Sequence, residues 1–364
     1  MSEETQPSLS SKHTETLPLA LWVVPVASLG GVARHVIDVA KAGIPGWRLA
    51  VLCPEGPLVH ELQTSKVAVF PVKFGPEAGL LRSVETLARY RHKLQPRVVH
   101  THLAYADIVA ALAVRPRVTQ LFSTEHGITP LDTLYHGSTT KSKAMRFVHT
   151  LRARRFTRHL AVCRSTRDVM QERWRLRHPA HVIYNGVNTV ENSSASPSDG
   201  LHIVSISRLA AEKRIPQLLE AFAILRRQGA DARLTIAGTG PERDTIVATV
   251  AALGLENHVA LPGHVAAEGL LAGADVLVQL SAWENCSYSV LDACANQVGV
   301  VATPVGGNPE ILPARCLVDP DKPDLVAARI LDQAQPTNRP GLPAGWPTVA
   351  GMTAQIAQLY QEVV

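Results

Sequence analysis

The sequence predicts an α/β protein built as two parallel-sheet domains that face each other across a cleft. Three observations carry that prediction. Short apolar runs alternate with segments of helical period, the rhythm of parallel strands joined by crossover helices. This rhythm breaks once, at Glu-Asn-Ser-Ser-Ala-Ser-Pro-Ser-Asp-Gly over 191–200, a stretch with the composition of a linker, and then restarts. Finally, 364 residues at 46% hydrophobic content exceed one ordinary core and suffice for two.

Taken in order, residues 1–16 are polar and rich in Ser, Thr and Glu without an apolar stretch, so they read as a disordered tail and not as a signal peptide. An apolar strand over 19–24 follows, and Gly30-Gly31 stands before a helix over 31–42. Strands at 48–53 and 67–72, a helix through 84–94 and a strand at 98–102 continue the alternation, and His126 ends a further strand. Beyond the linker come strand 201–205, helix 216–228, strand 232–237, helix 241–253 and strand 259–261. An apolar strand over 275–280 and another ending at Thr303 lead to a helix start at Pro309-Glu310. Met352, Ile356 and Leu359-Tyr360 give 348–364 helical spacing. The expected organisation is two Rossmann-like halves, 17–190 and 201–345, joined by the 191–200 linker and followed by a closing segment, 346–364.

Composition bounds the function. A net charge of +5 and a pI near 9.0 imply an anionic partner: a nucleotide diphosphate, an anionic membrane or nucleic acid. Aromatic content is only 5% and no nucleic-acid-binding motif is present, which argues against nucleic acid. The five cysteines form no C-x-x-C pair, and their odd number argues against a disulfide framework, so a reducing cytoplasm fits best. No apolar run reaches transmembrane length.

Chemistry concentrates between 274 and 312. Glu284 and Asp292 lie eight apart across a loop-to-helix junction, with Ser287 or Ser289 as its N-cap, so both carboxylates can face a ligand held over the helix N-terminus. Gly306-Gly307 then turns the next strand end toward the same crevice. Arg208 and Lys213 sit in a strand-to-helix loop at the sheet's carboxyl edge, where they can clamp a diphosphate. Gly238-Thr-Gly-Pro fails as a dinucleotide fingerprint because Arg243 stands where the third glycine belongs. His100 and His102 alternate on one strand face without a third ligand at suitable spacing, and Asp319-Pro-Asp321 lies in a Pro-rich loop, so no metal site is expected.

The pattern Glu284-x7-Asp292 with Gly306-Gly-Asn-Pro-Glu310 resembles the E-x7-E and GG-x-PE signature of retaining family 4 glycosyltransferases with the GT-B fold, Asp standing for the second Glu. Ser207-Arg-Leu-Ala-Ala-Glu-Lys213 resembles the family's diphosphate clamp, and Ser28 to His35 resembles its Gly-Gly loop. The resemblance implies two Rossmann-like domains, with the C-terminal helix crossing back onto the first, acceptor-binding one. It further implies transfer of a sugar, with retention, from a nucleotide-diphosphate donor, UDP-sugar being the commonest, to an acceptor hydroxyl. By the same resemblance Arg208 and Lys213 hold the diphosphate, Glu284 the sugar hydroxyls and Asp292 the ribose, while His126 stands beside the transferred sugar. Gly30 and Gly31 roof the phosphates, with Arg34 near the acceptor. Gly238, Gly263, His264 and Val265 shape the nucleotide pocket, and Asn285, Cys286, Ser287, Tyr288 and Ser289 line the donor site. No cofactor or metal is implied.

Residues 141–177 carry twelve Lys and Arg against Asp168 and Glu172, interleaved with Phe147, Val148, Leu151, Phe156 and Leu160. This reads as a basic amphipathic surface for anionic lipid, giving a peripheral place on the inner membrane face and a glycolipid or cell-envelope acceptor; a natural-product acceptor is the soluble counterpart. Two other readings stay open. One is a GT-B-fold UDP-N-acetylglucosamine 2-epimerase-like enzyme, which needs no acceptor. The other is a non-catalytic sugar-nucleotide sensor or partner subunit, to which the shortened Asp292 points.

Overall fold

The computed structural model describes residues 17–115, 118–128, 139–189 and 200–364. The expected tail at 1–16 and nearly all of the expected linker lie outside them.

Two parallel sheets organise the chain. The first joins β1 (Leu19–Val23), β2 (Arg48–Cys53), β3 (Ala68–Pro71), β4 (Val98–His102), β5 (Gln120–Glu125), β6 (Arg158–Ala161) and β7 (His181–Val182) in the order β3-β2-β1-β4-β5-β6-β7. The second joins β8 (Leu201–Ile206), β9 (Ala232–Ala237), β10 (Val259–Gly263), β11 (Val276–Gln279) and β12 (Gly299–Ala302) in the order β10-β9-β8-β11-β12. In both, the order reverses beside the first strand, which opens a crevice at the strands' carboxyl ends. Central strands such as β1, Leu-Ala-Leu-Trp-Val, are apolar throughout because helices cover both faces.

The crossover helices of the first domain are α1 (Gly31–Ala42), α2 (Pro57–Gln63), α3 (Leu80–Leu94), α4 (Ala104–Ala113), α5 (Thr139–Ala153) and α6 (Arg164–Trp174). Those of the second are α7 (Ile215–Arg227), α8 (Arg243–Ala252), α9 (Ala267–Ala272), α10 (Tyr288–Ala295), α11 (Asn308–Ile311) and α12 (Pro323–Ala334). The last helix, α13 (Val349–Gln361), buries Met352, Ile356 and Tyr360 in the first domain's core against Trp22, Val36 and Ile37. This is the crossing back that the resemblance implied. No helix among the described residues is long and apolar enough to cross a membrane.

The basic segment needs correction in part. Arg152, counted among its surface cations, is buried: its guanidinium bonds Asp107, lies 3.7 Å from Glu125 and stacks 4.6 Å from the Trp174 ring. Phe156 and Leu160 likewise belong to buried clusters, whereas Phe147 and Leu151 are exposed. The side chains of Lys141, Lys143 and Arg146 lie outside the described residues.

Candidate active site

The site forms where loops at the carboxyl ends of both sheets meet. On the second domain, β11 ends at Gln279 and the chain turns through Trp283 and Glu284 into α10, whose N-cap is Ser287. Asp292 therefore lies just over one turn into the helix, as its spacing predicts. Glu284 accepts from Ser281 Oγ at 2.8 Å and bonds Lys213 Nζ, joining the expected sugar acid to one expected clamp cation. Ala282 N donates to Glu212 O at 2.7 Å, tying the two loops together. Arg208, on the same loop as Lys213, is 61% exposed and bonds Glu212. The hydroxyls of Ser287 and Ser289 turn to Gln279 Nε2 at 2.7 and 3.1 Å. What the start of α10 offers a ligand is therefore its first-turn backbone N–H groups.

Two turns approach these loops so closely that only glycine fits. A Cβ on Gly306 would lie 1.7 Å from Glu284 O, and one on Gly238 would lie 1.8 Å from Ser207 O. Gly238 N also donates to Gly263 O at 2.7 Å, and His264 stands exposed beyond it with Val265 half-buried. Gly30 and Gly31 differ: a Cβ at either would meet no protein atom within 4 Å. Packing does not demand these two glycines, and Gly30 leads extended into the uncapped N-terminus of α1.

First-domain residues reach across the cleft at several places. Arg34 Nη1 lies 3.4 Å from Asp292 Oδ2 and its guanidinium sits over the Tyr288 ring, so the residue expected near the acceptor pairs with the acid expected at the ribose. Burial lowers the Arg34 pKa, but Asp292 and Asp38 raise it and prevail. Burial pushes the Asp292 carboxyl up, while Arg34 opposes that shift. Asn185 Nδ2 donates to Cys286 O at 2.8 Å, and Thr166 Oγ1 donates to Asn285 Oδ1 at 2.8 Å. Glu310 accepts from the N–H groups of Arg164 and Ser165, both at 3.1 Å, and from Tyr184 at 2.8 Å, so a carboxylate of the second domain caps a first-domain helix. Sequence spacing alone could not find Thr166, Tyr184 or Asn185, whose partners lie more than a hundred residues away.

His126 follows β5, and a Cβ on its neighbour Gly127 would touch Asn285 Nδ2 at 3.0 Å and Trp283 at 3.6 Å, which sets this strand end against the Glu284 loop. Ile128, Thr166, Trp283, Glu284, Asn285 and Gly306 line a cavity of about 220 Å³ there. His100 and His102, which alternate on one strand face, part company here: His102 alone joins a cluster with His35 and His126. His102 Nδ1 lies 2.9 Å from His126 Nε2, and His35 packs against both rings. Burial, the largest cause, holds all four imidazoles well below their ordinary pKa, His35 at about 4. Asp319 and Asp321 remain on the loop before α12, with Lys322 Nζ 3.6 Å from Asp319.

Residues 29–191 match the model of Glycosyltransferase Family 4, and residues 187–333 that of Glycosyl transferases group 1. Alpha-D-kanosaminyltransferase of Streptomyces kanamyceticus is 27% identical over 175 residues, covering 44% of this chain and 45% of its own. An uncharacterized glycosyltransferase of Methanocaldococcus jannaschii is 28% identical over 345 residues, 85% of this chain and 87% of its own. Anabaena HepE, solved in complex with UDP and glucose, shares the fold with a TM-score of 0.72 at 21% identity, over 94% of this chain and 99% of that one. The first three curated relatives are matched over 45, 29 and 59% of their own lengths.

Proposed function

The chain belongs to the family 4 glycosyltransferases of the GT-B fold, and from that premise we propose that it moves a sugar, with retention, from a UDP-sugar to an acceptor hydroxyl. The observation that carries the reading is the convergence of Lys213, Glu284, Asp292, His126 and the start of α1 on one cleft between the two sheets. It is supported by Gly30 and Gly31, whose small size has no cause in protein packing and suits close approach of a diphosphate to helix N–H groups.

Cleaving the bond from anomeric carbon to phosphate oxygen leaves an oxocarbenium-like sugar and returns negative charge to the diphosphate. Arg208, Lys213 and the helix N-termini offset that charge, so a divalent ion is dispensable. Glu284, engaged with Lys213 and Ser281, orients sugar hydroxyls and is not free to act as nucleophile. The acceptor oxygen therefore bonds the anomeric carbon from the face the phosphate leaves, and the departing phosphate takes the acceptor's proton. Retention follows from that front-face geometry.

The acceptor is lipid-linked in this reading, since Phe147 and Leu151, 63 and 47% exposed one turn apart on α5, lie close in sequence to Arg154 and Arg155. Equal sedimentation with neutral and anionic vesicles at low salt would shift the choice to a soluble acceptor of the size of the 220 Å³ cavity.

The deciding experiment has three parts. UDP-sugars are expected to raise the melting temperature where GDP-mannose does not, the product is expected to retain its anomeric configuration by NMR, and EDTA is expected to leave turnover intact. An inverted product, or turnover without any acceptor as an epimerase would show, overturns the reading.

A further inference from the structure

Beneath the sugar-facing end of β5 lies a cluster of which the proposed transfer uses only His126. His35 on α1, His102 at the end of β4 and His126 after β5 bring three imidazoles together, one ligand nitrogen from each lying within 4.8 Å of the others. Their ring centroids stand 4.8, 5.1 and 5.6 Å apart. A tetrahedral ion bound at about 2.0–2.1 Å from each ring nitrogen sets imidazole centroids roughly 5 Å apart, so the rings already stand near the required spacing.

The protonation pattern suits metal binding at His35, while at the other two rings an ion replaces the hydrogen bond between His102 Nδ1 and His126 Nε2 at 2.9 Å. Asn185 Nδ2 donates to Cys286 O, which fixes the amide so that Oδ1 faces His35 Nδ1 at 3.2 Å. An amide oxygen only accepts, so His35 carries its proton on Nδ1 and presents the lone pair of Nε2. That Nε2 is buried and has no hydrogen-bond partner among the described residues, and the same holds for His102 Nε2. A ring N–H held by a carbonyl oxygen while the other nitrogen stays bare is the arrangement that orients metal-bound histidines. His100 does not join the set: its Nε2 is engaged by Thr124 Oγ1 at 2.7 Å and its Nδ1 by the Tyr360 hydroxyl.

We propose that His35, His102 and His126 bind one divalent transition-metal ion of the imidazole-preferring class, Zn²⁺ or Co²⁺, and that the bound ion inhibits transfer by withdrawing His126 from the sugar. Three nitrogen ligands leave a fourth tetrahedral position for water. The inhibitory half rests on the proposed glycosyl transfer; the binding half does not.

The test is a Co²⁺ titration of the metal-stripped full chain, followed through the visible absorption of tetrahedral Co²⁺, with Zn²⁺ as competitor. One ion per chain is expected, with affinity lowered about tenfold or more in His35→Gln and in His126→Gln. His159→Gln, a buried histidine outside the cluster, is expected to leave binding unchanged. Should His35→Gln fail to fold, the half-buried His126→Gln decides alone. No tetrahedral spectrum, or undiminished binding in His126→Gln, would overturn the site. In the transfer assay Zn²⁺ at saturating concentration is expected to abolish turnover and EDTA to restore it; full activity with the ion bound would overturn the inhibitory role. Because binding is read without turnover, its failure is separable from failure of the transfer reading.

Discussion

Lys213 and Arg208 leave the same loop but have different neighbours: Lys213 is part-buried on Glu284, whereas Arg208 extends along the surface to Glu212. If both neutralise the leaving diphosphate, their worth appears mainly in the transition state. Arg208→Ala and Lys213→Ala are each expected to lose about 2–4 kcal/mol in kcat, with a smaller change in donor Kd, and near-wild-type kcat in both would remove them from the mechanism. A different residue-scale prediction concerns His159, which burial holds neutral with a pKa near 4 although Ala153 O bonds its Nε2; the nearby Arg152 charge lowers it further. Unfolded, the same imidazole titrates near 6.5, so its contribution to stability is present above that pH and is lost as pH falls toward 4, at about 1.4 kcal/mol per pH unit. Urea midpoints measured at pH 8 and pH 5 are expected to fall more steeply in the wild type than in His159→Gln, and parallel slopes would refute the assignment. Single residues were legible in the sequence where a motif fixed them, as with Glu284, Asp292 and Lys213. Glu310 was legible as part of a helix start and of the GG-x-PE pattern but not as a helix cap, because its partners, the N–H groups of Arg164 and Ser165, come from the other domain.

At the scale of elements, two pairs of glycines separate packing from ligand. Gly306 has φ +55 and no room for a Cβ against Glu284 O, so Gly306→Ala must displace the loop that carries Glu284. That variant is expected to lose about 1–3 kcal/mol of stability as well as activity. Gly31→Ala meets open space at the first residue of α1, so its urea midpoint is expected to hold or rise while donor affinity falls. A Gly31→Ala variant that binds donor like the wild type would show that the loop does not approach the phosphates. Strands were the most legible elements, since fully buried parallel strands are continuous apolar runs, and β4 and β9 fall at their expected bounds. The helices α4, α5 and α6 had no counterpart in the sequence reading. Ala-rich α4 is apolar on most of its surface and shows little period, while Arg-rich α6 buries only Thr166, Met170 and Trp174, too sparse a stripe to stand out.

For the molecule as a whole, the closing helix ties the end of the chain to the sheet that carries His126. Trp22 Nε1 donates to the Tyr360 hydroxyl at 3.0 Å, that hydroxyl shares a hydrogen bond with His100 Nδ1, and His100 Nε2 is hydrogen-bonded to Thr124 Oγ1 at 2.7 Å. An indole nitrogen only donates, so the Tyr360 hydroxyl accepts from Trp22, and burial keeps His100 neutral, so one of its ring nitrogens donates and the other accepts. The helix was legible from the spacing of Met352, Ile356 and Tyr360. The network was not, because it joins residues 338 positions apart through groups whose burial only the fold creates. Tyr360→Phe keeps the ring among Trp47, Phe122 and His100 but removes the shared hydroxyl, which leaves two buried groups without a partner. At about 1–3 kcal/mol for each buried group left unsatisfied, the variant is expected to lose roughly 2–6 kcal/mol of unfolding free energy in urea. Because Thr124 precedes Glu125 and His126 on the same strand end, kcat is expected to fall as well, although Tyr360 contacts none of the donor-side carboxylates. Wild-type stability in Tyr360→Phe would mean that the helix is held by its apolar face alone and that the hydroxyl chain contributes nothing to anchoring it on the first sheet.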